Sequence, residues 1–318
     1  MSNGASSKSS KGVKLAYMLA VINAIVIGAS FLFVKLSLNY ASPFDTLTFR
    51  FAAAFIILSI PTAFGLLKLN YRGKPIYKLL LLATMYPIGF FTLQTFGLQH
   101  ATSVEGGIIS AFSPVVTLVL ASAFLKEATS LLQKLSTLLS VFGIVFIFMM
   151  KGSSFDFSNL KGIVLLLLSC TVFAGYSVLA RSVTKHFTPV EISYFMVSVG
   201  FAAALVISFT VHGTNGTLGS LFAPLTSLTF IGLILFLGSV QLATALMGSY
   251  ILSRIEASKM GVFLNLSTIV SIAAGALVLG ETIAWYHLVG SLLIIVGVIG
   301  TNLPARQRGT TKIKTTAA

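Results

Sequence analysis

The chain is poor in charge. Only 9% of its 318 residues are Asp, Glu, Lys or Arg, against roughly 25% in an ordinary soluble domain. A soluble globule of 33.7 kDa could not cover its surface with so few charges. It is poorer still in acid, with seven carboxylates against 21 basic residues and a net charge of +14. It has one cysteine, Cys170, inside an apolar run, so no intrachain disulfide or cysteine metal cluster can form. These shortages exclude a soluble enzyme, a disordered chain and a disulfide scaffold. What is abundant is apolar: 56% hydrophobic residues and a mean hydropathy of +0.98 describe an integral membrane protein.

Apolar runs fall at about 15–36, 45–67, 77–97, 103–125, 131–150, 162–180, 189–211, 225–252, 257–279 and 283–303. Each is long enough to cross a hydrocarbon core of about 30 Å as a helix. A membrane-spanning barrel would instead show ~10-residue alternating segments. The expected fold is therefore all-α with ten transmembrane helices. Most of the basic residues lie between these runs, which argues against nucleic acid as a partner. With both termini cytoplasmic, the inner segments hold 17 Lys and Arg and the outer ones four, Lys35, Arg50, Lys151 and Lys161. That asymmetry sets the expected orientation. Residues 1–14 and 304–318 read as a flexible tail and a basic tail, both cytoplasmic.

The chain also repeats itself. Lys35–Phe49 lies over Arg181–Phe195 at an offset of 146, and Ala101–Glu127 lies over Ile255–Glu281 at an offset of 154. The first pair carries Ser42-Pro43-x-Asp45 and Thr188-Pro189-x-Glu191. A hydroxyl cap, proline at the first helical position and a carboxylate two residues later start a helix well. Repeats 15–150 and 151–303 hold five spans each, an odd number, so the two halves are expected to be inverted. Such symmetry points to a secondary transporter with its site near the midplane.

At this point the residues resemble a family. Gly28-Ala29-Ser30-Phe31 to Lys35, Pro43 to Arg50-Phe51, Gly97 to Ser103, Ser113-Pro114-Val115-Val116 and Leu125-Lys126-Glu127 resemble EamA-type members of the drug/metabolite transporter superfamily. A looser copy ends at Leu279-Gly280-Glu281. The resemblance implies export or exchange of a small metabolite, such as an amino acid, by alternating access in the cytoplasmic membrane. A flippase for a lipid-linked headgroup and a multidrug exporter are the alternatives. No catalytic constellation or cofactor motif is found, so neither enzyme activity nor a cofactor or metal is expected. The partners expected are a small-molecule substrate, the bilayer and at most a second copy of the chain.

Arg50 is the sharpest candidate for substrate binding. It lies two turns into the second span, where an unpaired charge costs about 2.5 kcal/mol or more. It either holds a substrate carboxylate or phosphate, or belongs to a structural ion pair or hydrogen-bonds to carbonyls at a helix end. Lys35 either snorkels to the interface or shares that anion site. Glu105 either pairs with a cation or carries a coupling proton, or it closes a capping box with Thr102. Asn23, Ser30, Tyr86, Gln94, Tyr176, Gln241 and Asn265 could line a polar cavity, or hydrogen-bond between helices. Phe90 and Phe91 read as packing, and Glu127 and Glu281 as structural ends of spans. No Asp or Glu lies in the middle third of any span. That favours neutral, zwitterionic or anionic substrates over cations.

Overall fold

A computed structural model describes residues 3–113, 115–116, 118–120, 130–150, 157–183, 186–252, 254 and 257–302. Among them all regular structure is helical. In chain order the α-helices are α1 (Asn3–Ser37), α2 (Pro43–Ala63), α3 (Ile76–Ala83), α4 (Phe90–His100), α5 (Ser103–Ser110), α6 (Leu131–Met150), α7 (Phe157–Val183), α8 (Pro189–Thr214), α9 (Leu228–Leu252), α10 (Ala257–Leu279) and α11 (Trp285–Asn302). α1 is continuous from Asn3, so the segment expected as a tail forms its first turns. Extending a formed helix requires no new nucleation.

Four helical stretches are long and apolar enough to cross a membrane: Gly12–Ser37, Pro43–Ala63, Ile76–His100 and Pro189–Thr214. A fifth results if the turn Leu218–Thr226 and the helix Leu228–Thr244, bent by 89°, count as one span. Shorter apolar helices cover Leu131–Ile147, Leu160–Tyr176, Leu266–Leu279 and Trp285–Gly300.

The hydroxyl–proline–carboxylate boxes start helices as expected. Ser42 caps α2 by accepting from the Asp45 amide, and Thr188 caps α8 with Glu191 completing the box. α2 ends earlier than the apolar run, at Ala63, where Gly65 turns the chain with φ +70°. The third apolar run is not one straight helix. It breaks into α3, a π-helical turn at Thr84–Gly89, and α4. Proline has no N–H to give and disfavours helical backbone in the residue before it. Tyr86, ahead of Pro87, is accordingly extended at φ −138° and ψ 119°.

Sequence neighbours are not the main packing partners. α1 packs against α9 and α10, α2 against α8 and α9, α4 against α7, α5 against α10, and α6 against α11. Glycine permits some of these crossings. A methyl group at Gly143 would lie 2.8 Å from the Gly290 carbonyl oxygen, so α6 and α11 touch through backbone. Gly28, Gly107 and Gly297 sit in equally close crossings. The central apolar cluster joins Phe31, Val34, Phe49, Leu98, Leu166 and Leu237, drawn from α1, α2, α4, α7 and α9.

α2 and α8 run antiparallel along their whole length. Asp45 meets His212 at one end, Phe55 stacks on Phe201 at 5.7 Å in the middle, and the Ser59 and Tyr194 hydroxyls lie 3.4 Å apart beyond it. At the other end Lys74 meets Glu191. The two faces of the bundle are called below the Lys35 end and the Lys74 end.

Candidate functional site

Arg50 sits two turns into α2 and is 4% exposed. Its Nε and Nη1 have no hydrogen-bond partner, and among the described residues no carboxylate is paired with it. The expected alternative of a structural ion pair is therefore not what the described residues form. Instead the guanidinium carbon lies 4.0 Å from the Phe91 ring centroid on α4. A desolvated cation–π contact contributes about 2 kcal/mol. It leaves the N–H groups unanswered, and each unanswered buried polar group costs about 1–3 kcal/mol. The site is arranged to hold a cation and leaves its donors free.

Around it stand further polar atoms without partners. Thr46 lies one turn from Arg50 on the same face of α2, and Thr95 one turn from Phe91 on α4; neither hydroxyl is hydrogen-bonded. Beside Phe91 an aromatic cluster spans the break in the third apolar run. Tyr86 lies 5.1 Å from Phe91, 5.5 Å from Phe90, 5.8 Å from Phe173 and 4.7 Å from Tyr176, centroid to centroid. The break places this cluster: the extended Tyr86 is released from the helical side-chain direction it would otherwise follow.

Tyr86 connects Arg50 to a pocket. It is close enough to Arg50 for each to act electrostatically on the other. With Tyr176, Ser193, Met196 and Gln241 it also lines a small cavity of about 40 Å³. Gln241 is 5% exposed and its Oε1 has no partner. Tyr86 thus neighbours Arg50 and shares a cavity wall with Gln241.

The remaining candidates divide. Asn23 is buried on α1 with its Oδ1 unpartnered, but it is not on the pocket wall. Gln94 is buried on α4 near Phe91. The Ser30 hydroxyl donates to the Ile27 carbonyl of its own helix at 2.7 Å, a local bond. Asn265 falls on α10, and its side chain lies outside the described residues, as does Glu127. Lys35 is not brought to Arg50. Its ammonium donates to the Leu98 and Ala101 carbonyls, 2.7 Å each, at the end of α4. Glu105 closes the box with Thr102, through a 2.9 Å bond from the Thr102 amide. Glu281 accepts from the Ser103 and Val104 amides and so caps α5 from α10's end.

Sequence reading missed two contacts between the ends of α2 and α8. At the Lys35 end, Asp45 accepts from the Ser42 and Ser208 hydroxyls and meets His212 Nε2 at 3.1 Å. At the Lys74 end, Glu191 accepts from Lys74 at 2.7 and 2.9 Å and from the Asn70 amide at 2.9 Å. The offset of 146 that aligns Asp45 with Glu191 was the only signal for them.

The model of the EamA-like transporter family matches twice, over residues 14–149 and 160–303. An uncharacterized transporter of Bacillus subtilis, YcxC, is 44% identical over 294 residues, covering 92% of this chain and 94% of that one. An uncharacterized transporter of Archaeoglobus fulgidus is 24% identical over 279 residues, covering 85% and 92%. A solved crystal structure superposes with a TM-score of 0.54 at 15% identity, over 92% of this chain and 99% of that one, a likeness of fold alone. The chain belongs to the EamA-like transporter family, part of the drug/metabolite transporter superfamily.

Proposed function

We propose that the protein is a multi-pass secondary transporter of the cell membrane that moves a small metabolite bearing a carboxylate or similar anion, an amino acid being the first candidate. Arg50 holds the anionic group, and Gln241 and the aromatic cluster receive the rest. The observation that carries this reading is a buried arginine whose Nε and Nη1 are unpaired and which, among the described residues, is paired with no carboxylate. A fixed cation without a counter-ion is costly in a low-dielectric interior. A transported anion would remove that cost each time it binds.

The two tandem family matches support two halves of five spans, inverted, with both termini cytoplasmic. The helix pairs support it also: α4 on α7 and α1 on α9 are the mates that a twofold axis relating the halves would produce. On this reading the Lys74 end faces the cytoplasm, as the basic residues demand. Alternating access then consists of opening one end of the α2–α8 pair while the other stays closed.

Counterflow in proteoliposomes tests the reading. Vesicles loaded with unlabelled amino acids should accumulate one or more labelled ones above empty controls. Arg50→Ala should lower that accumulation roughly thirtyfold or more, the factor that corresponds to losing a buried charge-assisted contact, with the folded amount in the membrane unchanged. Unchanged counterflow in Arg50→Ala would overturn the role of Arg50. No accumulation of any amino acid would move the substrate to phosphorylated metabolites or lipid-linked headgroups, tested next in the same vesicles.

A further inference from the structure

We propose that His212, Asp45 and Ser208 form a proton-binding site that locks the Lys35 end of the α2–α8 pair when occupied, so that protons bias which side of the transporter is open. The inference rests on the alternating-access reading above.

The argument begins with acceptors. His212 Nδ1 lies 3.0 Å from the Thr217 carbonyl oxygen, which can only accept. It also lies 2.8 Å from the Thr217 hydroxyl. Nε2 lies 3.1 Å from both carboxylate oxygens of Asp45. Those oxygens already receive hydrogen bonds from Ser42 and Ser208. Both ring nitrogens therefore face oxygens, an arrangement that the doubly protonated imidazolium satisfies in full. Asp45 is 5% exposed and its carboxylate oxygens are held at the start of α2. Of the two, histidine is the type that ordinarily changes charge near neutral pH.

The surroundings bring few competing charges. Residues 213–230, which form the turns and the first turn of α9 beside the site, contain no titratable side chain. Tyr40 in the α1–α2 turn packs on Phe230. On α2 itself Arg50 lies five residues further in. On α4 the titratable group at this end is His100, and on α1 it is Lys35, whose ammonium is held by the Leu98 and Ala101 carbonyls. α3, with Tyr77 and Lys78, meets α8 toward its opposite end, and Tyr86 in the π-helical turn meets it midway.

The direction follows from linkage. The closed contact binds the proton, and opening this end takes Asp45 away from His212. Closure is therefore favoured at low pH and lost as pH rises through the range in which histidine changes charge, about pH 5 to 8. The contact at the Lys74 end joins an ammonium to a carboxylate, groups that ordinarily keep their charges between about pH 5 and 9. One end then responds to protons and the other does not.

Distance measurement by double electron–electron resonance on the full chain in lipid tests this without any substrate. In a Cys170→Ala background, nitroxides at Tyr40→Cys and Gly219→Cys report the Lys35 end; a Cβ at Gly219 meets nothing. A second pair, Leu66→Cys with His186→Cys, reports the other end. Raising pH from about 5.5 to about 8.5 should increase the long-distance fraction of the first pair relative to the short one by roughly tenfold, without lengthening the second. His212→Gln should show the long distance at both pH values, and His212→Arg the short distance at both. An unchanged first pair in the His212 protein overturns the proposal, as does pH dependence that survives in His212→Gln. If His212→Gln does not fold, the His212 protein and His212→Arg decide it. Because no transport is measured, a failed counterflow experiment leaves these outcomes readable.

Discussion

The two ends of the α2–α8 pair are closed by the same local device carrying different chemistry. At each end a helix begins with a hydroxyl cap, a proline and a carboxylate; Asp45 reaches the last turn of the antiparallel partner, and Glu191 reaches the loop that follows its partner. Asp45 finds a histidine and two serines. Glu191 finds a lysine and a backbone amide, and its own carbonyl accepts from the Tyr71 hydroxyl at 2.8 Å. Burial first, and then the Glu191 charge, pushes the Tyr71 phenol up to about 12, so it stays a donor across physiological pH. The comparison teaches that repeating a capping motif fixes where a clamp sits. The residue that the carboxylate meets fixes what the clamp senses.

The largest test of that comparison removes Glu191. Its carboxylate accepts from Lys74, from the Asn70 amide and from the Thr188 amide. Glu191→Ala leaves those donors unanswered and should cost about 3 kcal/mol, read as an apparent melting temperature in detergent lower by roughly 5 °C or more. The same loss should be found at pH 6 and pH 8; a loss confined to one of them would break the distinction between the ends. A smaller effect is expected from Asp45→Ala, about 2 kcal/mol at pH 6 and less at pH 8, where the proposed proton has left the clamp. Equal losses at the two pH values would mean that Asp45 acts only as a helix cap. The smallest effect is Lys74→Gln. The lysine side chain is 24% exposed, so its pairing is screened and its removal should cost about 1 kcal/mol or less at either pH. A larger cost would make Lys74, and not the capping box, the part that holds that end.

What was legible in the sequence was local. The helix starts at Pro43 and Pro189 and the box at Thr102–Glu105 need only residues within one turn, and the structure has them. Arg50 was legible because a charge deep in an apolar run is costly wherever its neighbours lie. Its platform was not: Phe91 is 41 residues away and meets it only because α2 packs on α4. The same distance in sequence hid the partners of Asp45 and Glu191, which lie 167 and 117 residues away. Ser30 and Lys35 were assigned to a cavity by type, but each was already satisfied by nearby carbonyls. The break at Tyr86 had a signal, Pro87, which the hydropathy of the run outweighed. That break carries the aromatic cluster beside Arg50.

The pairing of α1 sets a timetable for making the protein. α1 ends at Ser37, and its chief partners, α9 and α10, begin at Leu228 and Ala257. A ribosome adding about 5–20 residues per second needs roughly 10–40 s to cover that stretch. Throughout it, the first helix made has the partners of its buried Asn23 face still unsynthesised. Gly28, which will lie against the Ser267 carbonyl and Val270, has nothing yet to fit. The newborn helix must stay in the bilayer without committing to a wrong neighbour, and the last third of translation must reach back to claim it. A truncated product ending before α9 would therefore leave its oldest segment without its chief partners, making premature termination here a natural substrate for membrane quality control.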